Sequence, residues 1–293
     1  MRKDPGSRPH RRGGEAVVES PDPRLVRDTE YPHCWLVRID GVDHSFIDPD
    51  DPTHLVFEYV ERIAGVIDTM APPGERLTTI HVGGAGMTLA RYIAHTRPTS
   101  AQIVLEPDAA LTAAVRAVAP LDKHSGVKVR PHDGVTGLAA LHDDYADLII
   151  VDAFAGAQVP ACFATASWRS ETNRVLKPDG CLVMNSTDMA PFDYTRRLVA
   201  GFLEDRHPCF LIAEPSTLKG HRFGNLIIAA GPTIDEHALT RRAARALYPS
   251  KVVSGAELTR WIGGAVPFTD EDAEPSPLPW LWPGRGGSFA IQG

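Results

Sequence analysis

The chain has 293 residues, of which 43% are hydrophobic and 23% charged, with a formal net charge of -7. That length and composition suit a globular protein with a large buried core. The mild acidity argues against nucleic-acid binding, which usually leaves a basic footprint. No apolar run approaches the roughly 18 residues of a membrane span, so no membrane partner is expected.

Residues 1–28 open with MRKDPGSRPHRRGG, whose Arg, Pro and Gly content predicts a disordered, solvated basic tail. It lacks the apolar stretch of a secretory leader, so a cytoplasmic location is expected. Cys34, Cys162, Cys181 and Cys209 are far apart and form no Cys-x-x-Cys pair. Reduced thiols are therefore expected, with neither a zinc site nor a disulfide framework.

Residues 29–52 contain YPHCWLVRIDGVDHSFID, which alternates around Asp40-Gly41 and predicts a small N-terminal β-hairpin unit. A helix follows, with Leu55, Val56, Tyr59, Ile63 and Val66 at helical spacing behind Asp and Thr residues suited to a cap. From Leu77, apolar runs alternate with helical stretches: LTTIHV, AQIVLEP, VKVRPHDG, YADLIIVDAF and CLVMNST are the runs. PCFLIAEP and GNLIIAAG read as a closing antiparallel pair. Residues 53–232 are thus expected to form one α/β domain, doubly wound on a mostly parallel seven-stranded sheet. Residues 233–293 add two helices, HALTRRAARALY and AELTRWIG, and a Pro-rich acidic tail.

In an open α/β sheet, ligands bind at the carboxyl ends of the strands. The first run ends in Gly83-Gly84-Ala85-Gly86, small residues that let a ligand approach the backbone at a helix N-terminus. The second ends in Glu106, about twenty residues on, the offset of a carboxylate that grips ribose hydroxyls. The third ends in His132-Asp133-Gly134 and the fourth in Asp152. A dinucleotide loop prefers G-x-G-x-x-G, and here Leu89 stands in place of the third glycine. An S-adenosyl ligand has no pyrophosphate and needs no third glycine, so it suits this set better. Taken singly, Glu106 and Asp133 read as an ordinary strand-end acid and an ordinary turn. The ordered set carries the assignment.

These motifs, with GVDHSFIDPDDPTHLVFEYV, HVGGAGMTLARYI, VLEPD, HDG, DLIIVDAFAGAQVPACF and VLKPDG in that order, resemble the spermidine synthase-like family of aminopropyltransferases. The resemblance covers about residues 31–231. It implies a Rossmann-like class I methyltransferase fold and, as co-substrate, decarboxylated S-adenosylmethionine or S-adenosylmethionine, with no metal. It places Gly83, Gly84 and Gly86 along the nucleoside, Glu106 on its ribose, Asp133 near its adenine, and a covering loop after Asp152. The acceptor is a small molecule, an amine in the family, and a homodimer is expected.

The chain also departs from that family's pattern. Aminopropyl-transferring members carry an Asp within the glycine loop, where this chain has Gly-Gly-Ala-Gly-Met-Thr. They carry a second Asp after the fourth strand, where Asp152 is followed by Ala153-Phe154-Ala155. Of their Tyr-His-Glu, at most His54 remains nearby. Burying a polycation needs carboxylates, and an amine must lose a proton before it attacks. Asp152 is the expected catalytic residue. Asp48, Asp50, Asp51, Glu58 and Asp188 are further acids whose positions the sequence leaves open, and Phe154, Phe163 and Trp168 are either pocket wall or core. Four readings follow: aminopropyl transfer, methyl transfer from the intact co-substrate, a non-catalytic nucleoside-binding or scaffold homologue, and an NAD-dependent enzyme.

Overall fold

The computed structural model describes residues 20–279. Three strands, β1 (Leu25–Arg27), β2 (Trp35–Ile39) and β3 (Val42–Ile47), form a small antiparallel sheet. The expected turn at Asp40-Gly41 joins β2 to β3, both residues taking positive φ. Strand β1 lies inside the stretch expected to be a disordered tail, because Leu25 is buried beside Trp35 and Val37. The MRKDPGSRPHRRGG segment itself lies outside the described residues.

Helix α1 (Glu58–Met70) begins later than the Asp and Thr residues before it suggest, and no side chain caps it. Those residues turn the chain instead: Asp48 Oδ1 accepts the Asp50 and Asp51 N–H groups, and Asp51 accepts from Thr53. The alternation then runs β4 (Thr79–Val82), α2 (Thr88–Thr96), β5 (Gln102–Leu105), α3 (Ala109–Val118), β6 (Val127–Arg130), α4 (Gly134–Ala139) and β7 (Ala146–Val151). A short 3-10 turn at Ala161–Phe163 leads into α5 (Ala166–Val175), β8 (Leu176–Asp188), α6 (Asp193–Asp205), β9 (Cys209–Ala213), α7 (Pro215–Leu218) and β10 (Gly224–Ala230). Helix α8 (Glu236–Arg245), β11 (Lys251–Ser254) and α9 (Gly255–Ile262) complete the regular structure of the described residues.

The large sheet has the order β11-β9-β10-β8-β7-β4-β5-β6. It has eight strands, one more than expected. The extra strand, β11, is a four-residue segment between two helices, and it pairs antiparallel with β9. So short a run on an edge carries little periodicity of its own. Strands β4 to β8 pair in parallel, while β10 runs antiparallel to both β8 and β9, as expected of the closing pair. Helices cover both faces, so β4, β5 and β7 are buried almost throughout.

The chain enters the sheet at β4, winds outward through β5 and β6, then returns to β7 on the other side of β4. The carboxyl ends of β4 and β7 therefore diverge, and a crevice opens between the connections that follow them. The small sheet packs over this edge, with Trp35, Val37 and Ile47 in one apolar cluster with Met87, Ala90, Val104 and Leu111.

Candidate active site

A cavity of about 1090 Å³ lies at this reversal point. Gly83, Gly84, Ala85, Glu106, Asp133, Gly134 and Asp152 all line it. Residues more than sixty positions apart thus meet in one crevice because the parallel strands end at one level.

The glycines are there for three different reasons. Gly83 has φ of +84°, and a Cβ on it would stand 2.3 Å from the Asp152 carbonyl oxygen. A Cβ on Gly84 would meet Val104 Cγ1 at 2.2 Å, so β5 packs directly under the turn. Gly86 lies outside the cavity lining, contrary to the resemblance. Its N–H donates to Ser45 Oγ at 3.1 Å, and a Cβ there would strike Ser45 and Ile47 of β3. Its small size seats the N-terminal sheet.

Gly83→Ala should destabilise the protein by about 2–4 kcal/mol, because it combines a forbidden φ with a backbone clash. Gly156→Ala, with φ of +61° but nothing within 4 Å of its Cβ, should cost only about 1–2 kcal/mol. Urea unfolding midpoints of the two variants measure the difference.

Glu106 follows β5. Its Oε2 accepts the Gly84 N–H at 3.2 Å and its Oε1 the Asp108 N–H at 2.9 Å. Those bonds tie the glycine turn to the next crossover and leave about two of the carboxylate's four acceptor directions free. Asp133 caps α4: its Oδ1 accepts the Val135 and Thr136 N–H groups, both at 2.9 Å, and its Oδ2 accepts the Thr136 hydroxyl at 2.7 Å. These bonds hold its carboxyl below the usual range.

Asp152 sits where β7 ends. Burial pushes its pKa up to about 6, against the opposing pull of Asn185 and Tyr59. Asn185 Nδ2 donates to Asp152 Oδ1 at 2.9 Å, and Asn225 Nδ2 donates to Asn185 Oδ1 at 3.0 Å. The chain of amides fixes which way the Asn185 donor points. The Tyr59 hydroxyl lies between the His44 carbonyl, at 3.1 Å, and Asp152, and can donate its one proton to either. Asn185 was open to sequence reasoning, since it follows Met184, the β8 partner of Val151. Tyr59 falls at the helical spacing of the α1 region, and only the tertiary fold turns it to the cavity.

Among the described residues, six carboxylates and one guanidinium line the cavity. Asp43 pairs with Arg38, Asp108 with Arg24, and Glu58 with Arg62. Among the described residues, Glu106, Asp133 and Asp152 pair with no cation. The guanidinium, Arg222, is held by Glu214 at 2.8 Å. Of the further acids named from sequence, Glu58 reaches the cavity, whereas Asp48, Asp50, Asp51 and Asp188 do not. Phe154 and Phe163 are cavity wall, and Trp168 packs behind Phe163 at 4.8 Å between ring centroids. His54 bonds Asp48, away from the site, and His81 is buried against Gln102.

The loop that follows β7 lines the crevice through Ala153, Phe154, Pro160 and Phe163, and the C-terminal segment is bonded to that loop. Ser276, fully buried, accepts the Val159 N–H on its Oγ at 2.9 Å, bonds Thr187 Oγ1 at 3.1 Å, and donates its own N–H to the Val159 carbonyl at 3.0 Å. Pro279, three residues on, lines the cavity. Ser276→Ala would leave the Val159 N–H unpaired, a cost of about 1–3 kcal/mol. The expected result is faster hydrogen exchange in residues 153–165 with exchange in β4 and β7 unchanged.

No protein-family model matches the chain, and no curated protein sequence does. Solved structures do match it. A probable spermidine synthase from Corynebacterium glutamicum is 29% identical, with a TM-score of 0.77 over 84% of this chain and 92% of that one. Spermidine synthase from Thermotoga maritima is 18% identical, with a TM-score of 0.52 over 72% and 70%. Human methyltransferase-like protein 13, in complex with SAH, is 15% identical, with a TM-score of 0.50 over 72% and 93%. The fold is therefore that of the class I methyltransferases. Within that class, the long match to the Corynebacterium protein supports a spermidine synthase-like, Rossmann-like fold for this chain.

Proposed function

We propose that the cavity binds an S-adenosyl-type sulfonium nucleoside and that the chain transfers a group from it to a small-molecule acceptor. One observation carries this reading: Glu106, Asp133 and Asp152, none with a cationic partner among the described residues, converge beside the Gly83-Gly84 turn. That set suits a ligand with hydroxyls, an amino-bearing base and a positive charge. The small residues of the turn let its backbone pack directly against β5 and the Asp152 carbonyl at the edge of the cavity. Glu106 would hold the ribose hydroxyls, Asp133 and Gly134 would lie along the adenine, and Asp152 would face the acceptor. When bound, the nucleoside supplies a carbon whose bond to positively charged sulfur breaks as the acceptor bond forms. Asp152 receives the proton that the acceptor loses, and Asn185 keeps the carboxylate aimed.

Decarboxylated S-adenosylmethionine is the favoured donor, making the chain an aminopropyltransferase with a small amine as acceptor. An acid-lined cavity whose guanidinium already pairs with Glu214 offers little to a donor carboxylate. The methyl-transfer reading has one observation in its favour: the turn from Gly83 to Thr88 carries no acid to repel that carboxylate. A cytoplasmic homodimer belongs to the same proposal, and light scattering tests the dimer.

Calorimetry with S-adenosylmethionine, its decarboxylated form, methylthioadenosine and NAD tests the binding claim. Tighter binding of the decarboxylated form supports aminopropyl transfer; binding of NAD alone overturns the reading. If a nucleoside binds but no labelled group reaches any amine, thiol or hydroxyl acceptor, the chain is a non-catalytic nucleoside-binding homologue.

A further inference from the structure

A second cluster of chemically able side chains lies outside the cavity, where the small sheet meets the segment leading to α1. The loop between β1 and β2 is held by Asp28, whose Oδ1 accepts the Glu30 and Tyr31 N–H groups at 2.8 and 2.7 Å. The Cys34 N–H donates to the Tyr31 carbonyl at 2.8 Å, and the Asp28 N–H to the Cys34 carbonyl at 3.2 Å. This folded loop presents His33 and Cys34 towards the chain leaving β3.

There Asp48 waits in a fixed orientation. Its Oδ1 accepts the Asp50 and Asp51 N–H groups, both at 3.0 Å, which sets the rotation of the carboxylate. Its Oδ2 then lies 3.5 Å from His33 Nε2 and 2.9 Å from His54 Nδ1. A ring nitrogen of His33, Cys34 Sγ and a carboxylate oxygen of Asp48 all fall within 4.8 Å of one another. Ligands bound to zinc at about 2.0–2.3 Å in a tetrahedron stand roughly 3.3–3.8 Å apart, so 3.5 Å matches one edge of such a shell.

Charge adds a separate argument. The Asp48 side chain is only 5% exposed, yet among the described residues it pairs with the two histidines and with no lysine or arginine. A buried carboxylate calls for a cation or a metal beside it.

We propose that His33, Cys34 and Asp48 form a divalent-metal site, with zinc the ion best suited to one nitrogen, one sulfur and one oxygen donor. His54 is a positioning residue: its ring, edge-on to Tyr31 and Phe46, holds Oδ2 in place. On binding, Cys34 releases its thiol proton to solvent and binds as the thiolate, while His33 and Asp48 contribute lone pairs and nothing is oxidised or reduced. The half-exposed His33 leaves the fourth position to water. The ion would join the β1–β2 loop to the segment before α1, stabilising the N-terminal sheet on the main domain.

The test uses the full chain, stripped with a chelator and titrated with zinc by calorimetry and with cobalt by absorption spectroscopy. One ion per chain is expected, with a thiolate-to-cobalt charge-transfer band in the near ultraviolet and a melting temperature that rises with zinc. His33→Ala, at a half-exposed position that leaves the core intact, should weaken zinc binding by about tenfold or more. Cys34→Ser should abolish the charge-transfer band, whereas Cys162→Ser should leave it unchanged. Substoichiometric uptake, a cobalt spectrum without the band, or zinc affinity unaltered by His33→Ala would overturn the proposal.

Discussion

Asp152→Asn should lower turnover by about 10²–10⁴-fold, the usual contribution of a positioned base, while nucleoside affinity changes by less than about threefold. Asparagine keeps the size of the side chain and a carbonyl for Asn185 Nδ2 to donate to, so the geometry survives and only proton acceptance is lost. Equal losses in turnover and affinity would place Asp152 in binding alone. Turnover of the unmodified chain at low acceptor concentration should rise with pH through an apparent pKa near 6, the value to which burial pushes this carboxyl.

The same substitution has a signature in stability, with a definite sign. The Asp152 pKa in the folded protein lies above its ordinary value of 3.8. As pH rises, the unfolded chain therefore loses this proton first, and folding becomes less favourable between about pH 4 and pH 6. Above that window the full cost of a buried charge is present. Asp152 opens partly onto the cavity, so water offsets some of it, and about 1–2 kcal/mol is a fair magnitude. Asp152→Asn should accordingly be more stable than the unmodified chain at pH 7.5, with the gain vanishing near pH 4. Calorimetric unfolding at the two pH values reads the difference directly, and a gain that persists at pH 4 would exclude ionisation as its cause.

Glu106→Ala should weaken binding of S-adenosylmethionine, its decarboxylated form or methylthioadenosine by about 10–100-fold, equivalent to roughly 1.5–3 kcal/mol for hydrogen bonds to a charged acceptor. Two effects add. The ligand hydroxyls lose their acceptor, and the Gly84 and Asp108 N–H groups lose the bonds that tie the turn to β5. Glu106→Gln separates them, because the amide oxygen can still accept from Gly84 while one charged acceptor disappears. An intermediate affinity is expected for it. Affinity within twofold of the unmodified chain for both variants would remove Glu106 from the ribose role.

Part of this was open to reading in the linear chain because it depends on local periodicity. Runs such as IHV, IVL and DLIIVD, spaced by helical stretches, predict parallel strands buried on both faces, and strand ends in such a sheet share one rim. That physical rule is why Gly83, Gly84, Glu106, Asp133 and Asp152 could be named together, and why they line one cavity. The order of motifs likewise carried the spermidine synthase-like resemblance.

Tertiary structure decided what periodicity cannot encode. Whether Gly86 faces a ligand or the small sheet depends on where β3 packs, and Ser45 takes its N–H. Whether Ser276 belongs to the site depends on a strap that bonds Val159 across more than a hundred residues. The pKa of Asp152 is set by its burial in the folded protein, opposed by hydrogen bonds from Asn185 of β8 and Tyr59 of α1. Short edge segments such as β1 and β11 gain their strand form from a neighbour's free hydrogen-bonding edge, not from their own residues. The chain alone thus determined which residues end the strands. Packing between distant segments determined what each of them touches, and so what each can do.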